Sequence, residues 1–123
     1  MKPSLVDTDI LSYFFKGVPS VVAHFDEYSR RYGTINFSII TYYEILSGLK
    51  HRDAHRKLDT FLAFAAKNTV LPLTQKAVTH AAEQYASLCK SGTPLDDIDL
   101  LIAGIALENA LVMVTHNTDQ YHS

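Results

Sequence analysis

The sequence predicts an α/β fold built on a mostly parallel sheet, and three observations carry that reading. Short, nearly all-apolar segments alternate with longer segments of helical spacing, and strands without a polar side belong to parallel sheets covered by helices on both faces. Acids or amides recur where such segments end, at Asp7, Glu44, Asp99 and the Asn117/Asp119 turn. The length, 123 residues with 47% hydrophobic and 11% aromatic content, suits one domain, residues 1–123, with a core of its own.

Ser4 to Asp7 reads as the first strand, and Asp9 to Phe15 as a helix that Gly17 and Pro19 end. Val21, Val22, Phe25, Tyr28 and Tyr32 then recur mostly at three- or four-residue steps, so Val18 to Tyr32 is a second amphipathic helix, stopped by Gly33. Thr34 to Ser38 is a second strand, leading into a helix over Ile39 to Lys50. A further helix over Asp53 to Lys67 precedes a third strand, Thr69 to Leu73. This helix pair between strands two and three is expected as an insertion on one side of the sheet. Thr74 to Lys90 is an Ala-rich helix closed by Ser91-Gly92-Thr93-Pro94; Asp96 to Asn109 is the last helix and Leu111 to Thr115 the last strand.

Composition bounds the setting. The single cysteine, Cys89, cannot close a disulfide within the chain and is expected as a small buried hydrophobe. No apolar run reaches the roughly 20 residues of a membrane helix, and the N-terminus lacks a signal-peptide stretch, so the expected location is the cytoplasm, with no membrane partner. A formal charge of −2 supplies no global attraction for nucleic acid, so an RNA partner needs a local basic patch or bound cations.

The acids are the chemically informative residues. Asp7 stands at a strand exit, where parallel sheets place ligands; it could instead cap the next helix, although Asp9 is the better N-cap of the two. Asp96 and Asp99 lie three apart and share a face in the first turn of a helix, with Asp97 pointing elsewhere. Acids there offset the macrodipole, which suffices for Asp96 and Asp97. Asp99 opens an unbroken apolar run from Leu100 to Leu107, where an unpaired charge is costly. Glu44, among Tyr42, Tyr43, Ile45 and Leu46, is expected to face the same difficulty, though pairing with a cation or reaching water would relieve it. Converging carboxylates need a cation between them, and hard oxygen donors without a Cys or His cluster select Mg²⁺ or Mn²⁺. Such a site suits phosphate chemistry.

Four segments in order, VDTDILSYFF, SIITYYEILSGL, DIDLLIAGIAL and VTHNTDQY, make the chain resemble PIN-domain ribonucleases, most nearly the toxins of VapBC toxin–antitoxin modules. The resemblance implies a PIN-like three-layer α/β/α sandwich around a sheet of four strands, or five where a short edge strand follows the last aromatic. Here that aromatic is Tyr121 and the sequence stops at Ser123, so the edge strand is expected to be missing. It also implies a Mg²⁺-dependent endoribonuclease, a homodimer, and a cognate VapB-like antitoxin that inserts a peptide into the active-site groove. The family's acidic quartet corresponds to Asp7, Glu44, Asp99 and a residue of the last turn, where Asn117 holds the usual position and Asp119 the nearest charge. On this reading Asp7 and Asp99 bind the metal, Glu44 completes the shell or orients the attacking water, and Thr8, Thr115 and Asp96 stand behind the ligands or against a phosphate.

Lys50 to Lys57, KHRDAHRK, holds four of the eleven Lys+Arg and offers either a stripe for RNA phosphates or a solvated helix junction. The His51/His55 pair is short of ligands for zinc. Tyr13, Phe14 and Phe15 are expected in the core, with one of them able to line a groove. The rival enzyme reading is a haloacid-dehalogenase-like phosphatase, with Asp7 as nucleophile and Asp9 as general acid; Leu11 stands where that family places a threonine. A receiver-like signalling domain lacks its aspartate after strand three, where Pro72-Leu73 stands, and His116 stands near the place of its lysine. A pure binding module for a basic peptide would share the acids and lack RNA cleavage.

Overall fold

The computed structural model describes residues 1–93 and 95–115. Within them the order is β1 (Ser4–Val6), α1 (Thr8–Phe15), α2 (Pro19–Tyr32), β2 (Asn36–Ser38), α3 (Ile39–His51), α4 (His55–Lys67), β3 (Thr69–Leu71), α5 (Gln75–Lys90), α6 (Asp97–Glu108) and β4 (Val112–Val114). All three crossovers are helix pairs, so α3 and α4 are the rule of this fold and not an insertion.

The strands are three residues each, shorter than the apolar runs that announce them, because Asp7, Pro72 and Thr115 already belong to the turns. They pair in parallel in the order β3-β2-β1-β4. The chain steps outward from β1 to β2 to β3, then returns to lay β4 along the free side of β1. The order therefore reverses between β1 and β4, and the crevice outside the carboxyl ends at such a reversal is where open α/β sheets bind ligands.

Alternation along each strand feeds two cores. Val6 and Phe37 join Leu11, Phe25, Tyr28, Leu49 and Phe61 on the face covered by α1 to α4. Leu5 joins Ala77, Ile102, Ile105 and Ala106 beneath α5 and α6. The first core is aromatic-rich: Phe14 stacks on Phe25 at 4.4 Å and Phe15 meets Phe61 edge-on at 5.8 Å, which places both phenylalanines of the YFF run in packing. On the other face α5 and α6 approach so closely that a Cβ on Gly104 would lie 2.2 Å from the carbonyl oxygen of Ala77. Only glycine fits there.

Local signals set most boundaries. Pro19 opens α2, and Gly33 closes it at φ 94, a conformation side chains disfavour. Ser38 caps α3 by accepting from the Thr41 N–H at 3.0 Å, and Thr74 caps α5 through the Ala77 N–H at 3.1 Å. The fourth helix starts at His55 instead of Asp53 because Asp53 sits at φ 50, outside the helical region. None of the helices among the described residues is long and apolar enough to cross a membrane.

Candidate active site

Asp7 is the hinge between strand and site. Its backbone N–H continues the β1–β4 ladder, donating to the Val114 carbonyl at 3.1 Å, while its Oδ1 accepts from the Ile10 N–H at 2.9 Å and caps α1. The expectation that Asp9 would be the cap is corrected: β1 ends one residue early, α1 begins at Thr8, and Asp9 lies exposed inside the first turn. Because Val6 pairs with Val114, the next residues of the two strands, Asp7 and Thr115, come side by side at the carboxyl edge. The Thr115 hydroxyl is buried with no hydrogen-bond partner among the described residues.

Thr8 joins the second strand's exit to the first. Its hydroxyl donates to Glu44 Oε1 at 2.6 Å and lies 3.0 Å from the Thr41 hydroxyl. Thr41 is fully buried and sits three residues before Glu44, on the same face of α3. The burial expected for Glu44 is not found: it is exposed, as is Tyr43, since the apolar neighbours point to other sides of the helix. What singles Glu44 out is the bond to Thr8, which fixes one carboxylate oxygen and leaves Oε2 outside that bond.

Asp96 caps α6, accepting from the Ile98 N–H at 3.1 Å, and Asp97 and Asp99 follow in the first turn. Asp99 is half-buried, ahead of buried Leu100 and Ile102. The helix ends where β4 begins, with the Leu111 N–H bonded to the Ala106 carbonyl and the Val112 N–H to Pro3. A helix of 12 residues spans about 18 Å, so its first turn is carried back toward the carboxyl edge. On α5 the phenol of Tyr85 is raised above its ordinary range, first by a hydrogen bond with Cys89, then by the charges of Cys89 and Asp97. Cys89 is exposed, contrary to the buried hydrophobe expected of it.

Asn117 and Asp119, with His116 and Tyr121, lie outside the described residues. Among the described residues no three acids, histidines or cysteines stand close enough to hold an ion, which also leaves His51/His55 without further ligands. The donor chemistry nevertheless suits a hard cation. Magnesium is usually held by one or two carboxylates, keeping waters or substrate phosphate in its other positions, instead of by an all-protein cage. An aspartate beside an orphaned buried hydroxyl, at a topological switch point, matches that demand, because buried polar atoms require partners.

A cavity of about 510 Å³ adjoins this edge, with Thr8 and Glu44 in its wall and Lys16, Arg52, Arg56 and Lys57 around it. The sequence singled out the KHRDAHRK run as stripe or junction. It is a junction, yet it delivers two arginines and a lysine to one cavity from two helices. Lys16, Ser12 and Thr41 went unnoticed in the sequence; only the i, i+3 spacing of Thr41 to Glu44 offered a signal. A second cavity, about 630 Å³ between Phe14, Val22, Phe25 and Phe64, is not lined by Asp7, Glu44 or Asp99.

Comparison with known proteins places this geometry in a family. Residues 4–122 match the PIN domain. The tRNA(fMet)-specific endonuclease VapC of Shigella flexneri is 29% identical over 95% of this chain and 88% of its own length. Ribonuclease VapC1 of Haemophilus influenzae is 25% identical over the same shares. The crystal structure of DNA-bound VapBC from Salmonella typhimurium superposes with a TM-score of 0.82 at 28% identity, covering 95% of this chain and 88% of that one. The phosphatase alternative finds no support: the match is to a different family, and Asp9, its required general acid, is an exposed residue of α1. The three-layer architecture, the parallel sheet and the match over nearly the whole sequence agree, and the chain belongs to the PIN domain family.

Proposed function

We propose that the chain is a Mg²⁺-dependent endoribonuclease, with Mn²⁺ as a substitute ion, and the toxin of a toxin–antitoxin pair. The observation that carries this reading is the meeting of Asp7, the orphaned Thr115 hydroxyl and the Thr8–Glu44 pair at the reversal point of the sheet. The relatives named VapC, an endonuclease and a ribonuclease, support the activity; the VapBC complex supports a VapB-like antitoxin as partner. Homodimer formation and work in the cytoplasm complete the proposal.

Asp7 and Asp99 would hold the ion, with Glu44 completing its surroundings or orienting water. When bound, the ion lowers the pKa of a water and polarises a phosphoryl oxygen. Glu44, tethered by Thr8, would accept a hydrogen bond from the attacking water and direct it at phosphorus. Attack in line with the departing 3′ oxygen leaves a 5′-phosphate and a 3′-hydroxyl. Asn117 or Asp119 supplies the fourth polar group.

The test is a metal titration. Purified chain, stripped with EDTA and given RNA, should be inert and should regain cleavage as Mg²⁺ or Mn²⁺ is added. Undiminished cleavage in EDTA would remove the metal from the proposal, and none at any Mg²⁺ or Mn²⁺ concentration would remove the activity.

A further inference from the structure

We propose that the cavity between α1, α3 and α4 is a nucleotide subsite, in which Lys16, Arg52, Arg56 and Lys57 hold RNA phosphate next to the scissile one and an apolar floor seats the neighbouring base. The inference rests on the ribonuclease reading and adds to it where the substrate runs. Thr8 and Glu44 form part of the cavity wall, so an RNA strand whose phosphodiester lies at the acids enters this space on one side.

Charge gives the first argument. Four cations surround one cavity in a chain of net charge −2, and none of them makes an ion pair among the described residues, where Arg30–Asp26 on α2 is the pair formed. Lys16 and Arg52 stand at the C-termini of α1 and α3, where the dipole favours a cation, but the placement of the other two opposes local stability. Arg56 and Lys57 lie in the first turn of α4, which has no acid there and no side-chain cap, although cations are unfavourable at a helix N-terminus. Arg52 is held opposite them by the tight turn at Asp53, φ 50, and would lie 3.7 Å from a Cβ on Gly48. Four cations converging on one cavity without an ion pair among the described residues, two of them set against a helix dipole, suit an external anion.

Shape gives the second. A volume of about 510 Å³ falls within the range of ligand pockets and exceeds the needs of a lone phosphate. Half-buried Phe15 and Ile45 form the apolar floor, over buried Leu49 and Phe61, and a base seated there removes apolar surface from water. An acidic peptide would satisfy the cations as well. Continuity with Glu44 favours the substrate strand.

The experiment is equilibrium binding of a 5′-fluorescein-labelled single-stranded RNA oligonucleotide to the full chain in EDTA, by anisotropy across a KCl series. Arg52→Gln/Arg56→Gln and Lys16→Gln/Lys57→Gln should each weaken binding about tenfold. Each should also flatten the log–log salt slope by about 1.4, the value for two lost phosphate contacts on a single strand. Lys76→Gln/Lys90→Gln, on α5 across the sheet, should leave the slope unchanged. In a Mg²⁺ cleavage assay the cavity variants should raise KM more than they lower kcat. Unchanged slopes in the cavity variants, or an equal change in the α5 control, would overturn the subsite. So would RNA binding left intact while an oligo-glutamate peptide loses its binding. Wild type that binds RNA with the expected slope yet never cleaves it would overturn the ribonuclease reading and leave the subsite standing.

Discussion

Thr8 donates its hydroxyl to Glu44 at 2.6 Å, across 36 positions of sequence, and so ties the exit of β1 to the helix that follows β2. That bond is the strongest constraint on Glu44, which is otherwise exposed. Thr8→Val should therefore leave folding nearly intact and lower RNA cleavage about 10- to 100-fold, the range for residues that orient a metal-site ligand. Thr8→Ser, which keeps the hydroxyl, should restore most of the activity. Steady-state kinetics with a melting curve for each variant separates this from a loss of fold.

Asp7 has two duties that substitution can divide. Asparagine caps helices as well as aspartate, whereas alanine costs about 1 kcal/mol. Asp7→Asn should melt within a degree or so of the parent, yet lose cleavage by about 100-fold or more, since an amide cannot replace a carboxylate at a cation. Asp7→Ala should lose the same activity and about 4 °C of melting temperature as well. Equal melting temperatures for the two variants would contradict the capping bond.

Asp9 is the control inside the same motif. Exposed in the first turn of α1, it takes no part in the bonds that organise the edge. Asp9→Asn should cleave RNA within about twofold of the parent rate, since surface substitutions away from such bonds change little. A loss comparable to that of Asp7→Asn would mean that the motif works as a pair.

Gly104 carries the packing that positions Asp99. A methyl group there meets the Ala77 backbone at 2.2 Å and the Ala81 side chain at 3.3 Å, so α6 must move off α5. Gly104→Ala should cost about 1–3 kcal/mol, as overpacked cores do, read as a lower urea midpoint at unchanged slope. Cleavage should fall with it, because the same helix carries Asp96 and Asp99.

These relationships were legible in the sequence to different depths. Asp7, Glu44 and Asp99 stood out because acids at element ends inside apolar runs are chemically anomalous, whereas Thr8 came only with the family resemblance. The strands were found as apolar runs, but their ends were not, because a run such as LVMVT does not say where pairing stops and the turn starts. That single-residue difference moved the cap from Asp9 to Asp7. Glu44 was singled out for a burial it does not have; its partner Thr8 is a tertiary fact with no local signature. The return of β4 to the side of β1, which makes the switch point, is likewise a matter of strand order, and no periodicity encodes order. Arg52 and Arg56 were visible as a pair, but the cavity they share with Lys16 depends on the turn at Asp53.

The most direct measurement is end-mapping of total RNA after brief expression of the wild-type chain beside Asp99→Asn, with the same RNA cut in vitro in Mg²⁺. The account predicts discrete new 5′-phosphate ends in the wild type, the same ends in vitro, and their loss in the mutant although it is folded and equally abundant. Discrete ends that persist in Asp99→Asn would contradict it.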